Sequence, residues 1–215
     1  MESFKAKKQV KASRYLSLSK INMINMYNLY YEIKDTVKLL PNGGDILHIG
    51  IGTDLLSPIL KNFGFKVYTM DIIDELKPDY VGSIHELDNL IGNKVFDLII
   101  CSHVLEHIPY DLFENNLSQI QKHSKYSLIY LPNSGIALGA ELRLHPKWRK
   151  IFRWFMPIFK NKKIKFNGEH YWELDLKGFE RDKVRNDILK YFNIINEYRN
   201  LYWDNSYNFI LESKK

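Results

Sequence analysis

The sequence predicts an α/β fold with a doubly wound, mostly parallel sheet of seven strands, helices on both faces and a C-terminal antiparallel strand. Three observations support this fold class. Short apolar strands alternate with helical patterns and short loops from residue 45 onward. The run VFDLIIC at 95–101 is continuously apolar, which is typical of a parallel strand covered on both faces. Two strand patterns joined by a tight connection, WDNS, close the chain and predict an antiparallel partner.

Each element has its own signal along the chain. Apolar residues at helical spacing predict one or two helices within 16–39, and the breaker cluster PNGG follows at 41–44. Gly64 closes a short helix between the first two strands. The predicted strands are 46–49, 66–70, 79–81, 95–101, 127–131, 193–199 and 207–212. The helices predicted after the breaker cluster are 55–63, which Gly64 closes, 111–123 and 182–192.

Composition is that of an ordinary globular protein. The chain has 215 residues, of which 45% are hydrophobic and 26% charged, a length that suits one α/β domain with additions. Its single cysteine, Cys101, excludes an intrachain disulfide and a multi-cysteine zinc site. We find neither a signal-peptide pattern nor a run of about 18 apolar residues, so we expect a cytoplasmic protein.

Positive charge is concentrated in one segment. Between Leu142 and Gly168 there are nine Lys or Arg residues and no Asp or Glu, within a chain of net charge +6. Five aromatic residues are interleaved with these charges. Residues 143–165 could therefore contact an anionic membrane surface, grip a phosphorylated substrate, or cover the sheet while their charges extend to solvent. We favour covering the sheet, because the aromatic side chains need a place to be buried.

The stretch DILHIGIGTD at 45–54 puts Gly50 and Gly52 just after the first strand. Ligands of open α/β sheets bind beyond the carboxyl ends of the strands, where glycine lets the backbone approach them. Asp71 ends the second strand, 19 residues after Gly52, and can accept both hydrogen bonds from the hydroxyls of a ribose. These features predict a nucleoside pocket. Leu55 replaces the third glycine of the dinucleotide fingerprint, which weakens an NAD site but leaves it as an alternative.

Four segments, ILHIGIGTD, VYTMDI, DYVGSIHEL and FDLIICSHVLEHIP, together cover about residues 45–132. In this order and spacing they resemble the class I S-adenosylmethionine-dependent methyltransferases, and within them the methyltransferase type 11 set. GEHYWEL, near residue 170, is also similar to members of this set. The resemblance implies one Rossmann-like domain over 1–215. Its parts are N-terminal helices in 1–40, a cofactor-binding core at 45–133, a substrate-recognition insertion at about 135–178, and a C-terminal helix and strand pair at 180–213.

The resemblance also implies a pocket for S-adenosylmethionine. The glycine turn would pass beneath the methionine and ribose parts, and the acid at the second strand end would hold the ribose hydroxyls. Residues of the two following segments would contact the adenine and the methionyl portion. The implied cofactor residues are His48, Gly50, Ile51, Gly52, Asp71, Ile72, Ser83, Ile84, Cys101 and Ser102.

Two positions depart from the family motif. His48 stands where an acid usually helps to orient the cofactor amino group, and a neutral imidazole brings no negative charge. Asp54 replaces the last glycine and suits the first turn of the next helix, which it could cap. Both changes put cofactor affinity in question. The alternative to an active methyltransferase is therefore a catalytically silent cofactor-binding or scaffold protein of the same fold.

Three histidines are candidates for catalysis. Methyl transfer is an in-line displacement, to which a protein contributes positioning, exclusion of water and, for a hydroxyl acceptor, a base. His103 and His107 follow the fourth strand four residues apart, and His170 lies in GEHYWEL. Glu106 and His107 could equally brace the loop. Two histidines and one glutamate on a turn are a weak metal signal, so we predict no bound metal.

The acceptor is predicted to be a small molecule or a saccharide. Glu106, His170, Trp172 and Glu173 combine a base, a flat apolar surface and hydrogen-bond acceptors, although Trp172 could instead fold over the core as a lid. We expect no specific nucleic acid, because CSHVLEHIP replaces the (N/D)PP(Y/F) motif of DNA adenine methyltransferases and a basic patch alone binds non-specifically. The oligomeric state is not predicted. An NAD-dependent oxidoreductase is the weaker alternative function.

Overall fold

The computed structural model describes residues 11–145, 148–201 and 205–215. Trp203 and Asp204 of the predicted connection WDNS lie outside these residues. Within them the α-helices are α1 (Ala12–Tyr15), α2 (Met23–Leu39), α3 (Leu56–Asn62), α4 (Leu87–Ile91), α5 (Phe113–His123) and α6 (Arg181–Leu189). The strands are β1 (Asp45–Ile49), β2 (Lys66–Asp71), β3 (Tyr80–Val81), β4 (Phe96–Ser102), β5 (Ser124–Pro132), β6 (Ile136–His145), β7 (Trp148–Met156), β8 (Phe192–Arg199) and β9 (Ser206–Ser213).

Seven strands form one sheet in the order β3-β2-β1-β4-β5-β9-β8. The first five are parallel to one another, and β9 runs antiparallel to both β5 and β8. The predicted fold class is therefore confirmed, and the antiparallel strand lies one place in from the sheet edge. Strand order reverses between β1 and β4, and such a switch point opens a crevice at the carboxyl ends of the strands.

The alternation of side chains along the central strands divides the core between two faces. Leu47 and Ile49 face the cluster that includes α5 and α6, whereas Ile46 faces the cluster that includes α2 and α3. Because both faces are covered, the central strands read as continuous apolar runs. The N-terminal helix α2 is thereby fixed against the sheet, close to the carboxyl end of β1.

The basic aromatic segment does not cover this sheet. Strands β6 and β7 form a separate antiparallel hairpin in which Leu138 pairs with Trp154 and Ala140 with Phe152. Trp154 is 66% exposed and Phe152 is 47% exposed. The favoured interpretation, that these aromatic residues are buried on the sheet, is wrong because the hairpin folds on itself and leaves one apolar face open. Among the described residues, no helix has the length and apolarity needed to cross a membrane.

Candidate functional site

The glycine turn and its acidic partner meet at the carboxyl ends of β1 and β2. Ile49 is in register with Met70, and the Gly50 amide donates to the Met70 carbonyl at 2.8 Å. The next residue, Asp71, is buried and accepts a hydrogen bond from the Ile73 amide at 2.9 Å. Burial raises the pKa of Asp71, and the amides of Ile73, Gly52 and Ile51 oppose this rise. The turn and the acid therefore form one site.

Gly50 is required by both backbone conformation and space. Its φ of +74° lies in the left-handed region, and a Cβ at this position would lie 2.3 Å from Val104 Cγ2. Gly52 has a φ of +53°, and a Cβ there would lie 3.4 Å from the ring of Tyr15. The backbone of the turn is consequently held close to the loop after β4 and to the N-terminal segment.

A first cavity of about 240 Å³ opens beside this turn. Most of the residues predicted from the cofactor motifs line it, together with part of the loop after β4. Ser83 begins the short helical turn after β3 and forms a capping box with Glu86, which fixes that wall. The predicted residues on this cavity are Gly50, Gly52, Asp71, Ile72, Ser83, Ile84, Ser102, His103 and His107.

A second cavity, of about 200 Å³, lies between α2 and the glycine turn. His48 and Ile51, both predicted as cofactor residues, line it, and so do Asn28 and Glu32 of α2. Sequence reasoning missed Asn28 and Glu32, because α2 precedes every recognisable motif. The sequence feature that could have indicated them is their spacing: Asn28 and Glu32 lie one helical turn apart on a helix whose neighbouring residues are apolar.

His48 and Asp54 interact on the floor of this region. His48 is 5% exposed, and its Nδ1 lies 3.2 Å from Ser57 Oγ and 3.7 Å from Asp54 Oδ1. The Ser57 amide donates to Asp54 Oδ1 at 3.3 Å, so Asp54 accepts from the first turn of α3 from outside the helix, one residue before the N-cap Leu55. Burial acts to raise the pKa of Asp54, but hydrogen bonds from His48 and Ser57 prevail and lower it.

A third cavity, of about 570 Å³, adjoins the other two. The fold brings the loop after β4 and the GEHYWEL segment together on its wall, although more than 60 residues separate them in sequence. The predicted catalytic and acceptor residues on this wall are His103, Glu106, His107, His170 and Glu173. Tyr15 and His103 line all three cavities, so they lie where the three spaces join.

Glu106 is a fully buried carboxylate among histidines. Its Oε1 lies 3.5 Å from His103 Nδ1, and neither of its oxygens has a hydrogen-bond partner within the described part of the chain. Burial favours a raised pKa, but His103, His107 and His170 together keep the pKa of Glu106 below its usual value. Ligand atoms of Glu106, His107 and His170 lie within 4.8 Å of one another. The absence of a metal stays a prediction.

His170 and Glu173 form an ion pair at the edge of this cavity. His170 Nδ1 lies 2.7 Å from Glu173 Oε1, and the Ser134 hydroxyl donates to Glu173 Oε2 at 2.5 Å. Burial opposes the charge on both groups, yet the pairing raises the pKa of His170 and lowers that of Glu173. The pairing therefore favours the charged form of each group at the edge of the cavity.

Two predicted site residues belong to the core instead. Trp172 is 0% exposed, packs against Tyr110 and Phe113, and donates its Nε1 hydrogen to the Ile108 carbonyl at 3.1 Å. Cys101 is also buried, and it lines none of the three cavities. The predicted acceptor contact by Trp172 is wrong, because its large apolar ring fills the space between sheet and helix. The Cys101 side chain likewise faces the apolar core, away from the predicted methionyl site.

Comparisons with known proteins agree with this geometry. The family model described as "Methyltransferase domain" matches residues 26–181. No curated protein matches the chain by sequence. Among solved structures, the glycopeptide N-methyltransferase MtfA complexed with (S)-adenosyl-L-homocysteine is similar, with a TM-score of 0.58, 11% identity, and coverage of 96% of this chain and 99% of that chain.

Two further structures are similar at the level of the fold. An S-adenosylmethionine-dependent methyltransferase from Clostridium acetobutylicum ATCC 824 has a TM-score of 0.58 and 14% identity, covering 95% of this chain and 98% of that chain. The Burkholderia thailandensis 1,6-didemethyltoxoflavin-N1-methyltransferase has a TM-score of 0.57 and 10% identity, covering 97% of this chain and 93% of that chain. The chain belongs to the methyltransferase domain family, as a class I S-adenosylmethionine-dependent methyltransferase fold.

Proposed function

We propose that this protein transfers a methyl group from S-adenosylmethionine to a hydroxyl group of a small polyhydroxylated molecule or glycan. One observation carries the proposal. A nucleoside-sized cavity and a larger polar cavity share His103 and His107, so donor and acceptor would meet at the end of β4. The acceptor class is inferred from the lining of the larger polar cavity, which is the third cavity.

The residues present suit the cofactor. The glycine turn contributes backbone without side chains to the wall of the first cavity, and Asp71 offers a buried carboxylate to the ribose hydroxyls. When bound, S-adenosylmethionine supplies an electrophilic methyl group on its sulfonium sulfur. The chain must then position the acceptor in line with that group and exclude water, which can contribute several kcal/mol of barrier lowering.

His103 is the residue best placed to receive the acceptor proton. It lines all three cavities, with Nδ1 at 3.5 Å from the buried Glu106 carboxylate and Nε2 at 3.2 Å from Ser206 Oγ. The negative charge on Glu106 would stabilise the imidazolium that forms when His103 takes a proton. We therefore assign His103 as the base and Glu106 as the residue that positions it, with His107 beside them.

The polar lining of the third cavity supports a sugar-like acceptor. His170 and Glu173 supply a donor and an acceptor held by their mutual ion pair, and Asn133 and Ser134 add further polar groups. Hydroxyl-rich molecules are recognised by such alternating donors and acceptors. The structurally similar MtfA is a glycopeptide N-methyltransferase, so the choice of a hydroxyl as the methylated group rests on the cavity lining and not on this likeness.

The test is transfer of labelled methyl groups from S-adenosylmethionine to a panel of monosaccharides, sugar nucleotides and polyols. We expect activity with at least one of them, a large loss of kcat in His103→Ala, and an acceptor-dependent loss in His170→Ala. Binding of S-adenosylhomocysteine should remain nearly intact in His170→Ala, because His170 lines the third cavity and neither of the other two. Failure of every hydroxylated acceptor, with labelling of an amine-bearing compound instead, would contradict the acceptor class.

We also propose that the β6–β7 hairpin contacts an anionic, cytoplasm-facing membrane surface. Strand alternation puts six exposed apolar side chains on one face of the hairpin: Ile136, Leu138, Leu142, Phe152, Trp154 and Met156. Residues 143–165, which include the end of β6 and all of β7, carry nine positive charges and no negative ones, and Glu141 of β6 precedes them. Apolar insertion together with basic residues is the combination that binds anionic interfaces. A lipid-linked acceptor would then lie near the third cavity.

A further inference from the structure

Glu32 is a buried carboxylate that the reaction described above does not use. It lies in the middle of α2 and is only 6% exposed, which is unusual for a glutamate. Its side chain lines the second cavity, opposite His48 and the glycine turn. No ion pair within the described residues involves Glu32, so its charge has no lysine or arginine partner there.

The contacts of Glu32 hold it in place without neutralising it. Asn28 Nδ2 donates to Glu32 Oε1 at 2.7 Å and lies 3.0 Å from Ser102 Oγ, which ties α2 to the end of β4. Burial raises the pKa of Glu32, against the opposing effects of His48 and Ser102. A buried carboxylate without a cation is costly, and a ligand cation in the cavity would compensate it.

The cavity around Glu32 continues from the nucleoside cavity. Both are lined by Gly50, Gly52 and Ser102, on either side of the same turn. A ligand whose nucleoside occupies the first cavity would therefore extend its other end into the second. In S-adenosylmethionine that end carries an α-ammonium group.

We propose that Glu32 binds the α-ammonium group of S-adenosylmethionine and so supplies, from α2, the negative charge that His48 does not provide at the end of β1. The inference rests on cofactor use by this protein, and the new element is the residue that recognises the amino-acid end. The His48 imidazole is already engaged by Ser57 and Asp54. In this proposal Glu32, and not His48, contacts the ammonium group.

The test is calorimetric titration of the full chain with three ligands that differ at this end. S-adenosylhomocysteine carries the ammonium, its deaminated analogue has hydrogen in place of the amino group, and 5′-methylthioadenosine lacks the amino-acid part. For Glu32→Gln we expect about a 10- to 100-fold weaker affinity for S-adenosylhomocysteine, the scale of a lost charged hydrogen bond. Affinities for the other two ligands should change less than about twofold.

Two variants sharpen the comparison. Asp71→Asn is the matched contrast, because a ribose contact should weaken all three ligands to a similar extent. Adding His48→Glu to Glu32→Gln returns an acid to the end of β1 and should recover most of the lost affinity. Circular dichroism and a melting curve confirm that each variant is folded.

The outcomes separate the inference from the proposed function. An equal loss for all three ligands in Glu32→Gln, or no loss for any, overturns the assignment of Glu32 while cofactor binding stands. If the variant does not fold, the wild-type protein decides: similar affinities for S-adenosylhomocysteine and its deaminated analogue overturn the inference. Failure of the wild-type protein to bind any adenosyl ligand removes both the inference and the proposed function.

Discussion

At the scale of single residues, Asp71 illustrates how burial and hydrogen bonding prepare a carboxylate for a ligand. Its position after β2 brings it next to the amides of the glycine turn, which already occupy part of its hydrogen-bonding capacity. Asp71 also lines the nucleoside cavity, where its carboxylate can accept further hydrogen bonds from a ligand. A ligand with two adjacent hydroxyls satisfies such a group without moving the backbone.

Asp71→Asn should weaken binding of S-adenosylhomocysteine by about 1–3 kcal/mol, because an amide can accept only part of the hydrogen bonding that a carboxylate accepts. Isothermal titration calorimetry gives the difference directly. Asp97→Asn, at the opposite end of the sheet beside Gly44, serves as the control. An unchanged dissociation constant in Asp71→Asn would remove the ribose assignment.

The His170–Glu173 pair should make stability depend on pH. The raised pKa of His170 means that its contribution is complete below about pH 6.5, the usual imidazole value, and is lost as pH rises through the folded pKa. The lowered pKa of Glu173 means that its contribution is complete above about pH 4.3 and is lost as pH falls through the folded pKa. The pair therefore stabilises the fold most in mildly acidic solution.

Glu173→Gln should shift the pKa of His170 part of the way back down, since the hydrogen bond to Glu173 raises it together with the charges of Glu106 and Glu169. NMR titration of the imidazole protons measures the shift. Thermal melts should show the largest difference between wild type and variant below the folded pKa of His170, and a smaller one above it. Glu114→Gln, which removes a distant surface pair with Lys190, should leave the His170 titration unchanged. A pKa of His170 that is insensitive to Glu173 would contradict the pairing.

At the scale of elements, the turn from β1 to α3 combines strain that only glycine relieves with a close approach to the loop after β4. Gly50→Ala should cost about 1–2 kcal/mol from its left-handed backbone and more from the contact with Val104. We expect chemical denaturation to show the loss and calorimetry to show weaker cofactor binding.

Gly64→Ala is the matched control for this turn. Gly64 has a φ of +88°, but a Cβ there would meet nothing within 4 Å, so only the backbone cost applies. Gly50→Ala should therefore lower the free energy of unfolding more than Gly64→Ala does. Adding Val104→Ala to Gly50→Ala should reduce this difference between the two glycine substitutions, because it removes the contacting side chain. Equal losses at the two glycines would show that the close approach to Val104 has no energetic weight.

The β6–β7 hairpin gives the element-scale test of membrane contact. Vesicles that contain phosphatidylserine should co-sediment the wild-type protein at low salt, and less so as salt screens the basic segment. Replacing Phe152 and Trp154 with serine should reduce binding, because both side chains are exposed on the apolar face. Phe63→Ser, at an exposed aromatic residue outside the hairpin, is the control. Self-association through the hairpin, with no vesicle binding, would identify a second copy as its partner instead.

At the scale of the whole molecule, the site joins elements from across the chain, so a ligand should stabilise the entire fold. At S-adenosylhomocysteine concentrations about 100 times its dissociation constant, binding contributes about 2.7 kcal/mol of unfolding free energy. For a chain of this size the melting temperature should rise by about 5–10 °C. Differential scanning fluorimetry measures the shift. NAD at the same concentration should give none, and a larger shift with NAD would favour the oxidoreductase alternative.

The sequence by itself determined the order of the elements, the glycine turn, Asp71 and the class of fold. These depend on local periodicity and on short motifs whose residues lie next to one another. Even so, the sequence misplaced the aromatic residues of the hairpin, because exposure depends on whether a segment finds an apolar surface to cover.

Only the tertiary structure decided which distant residues share a cavity. Glu32 meets His48, and His170 meets Glu106, because helix α2 and the segment before α6 pack against the same strand ends. Trp172 entered the core for the same reason: its neighbours Tyr110 and Phe113 leave room for an indole ring there. These contacts between residues distant in sequence result from tertiary packing, so local sequence patterns do not predict them.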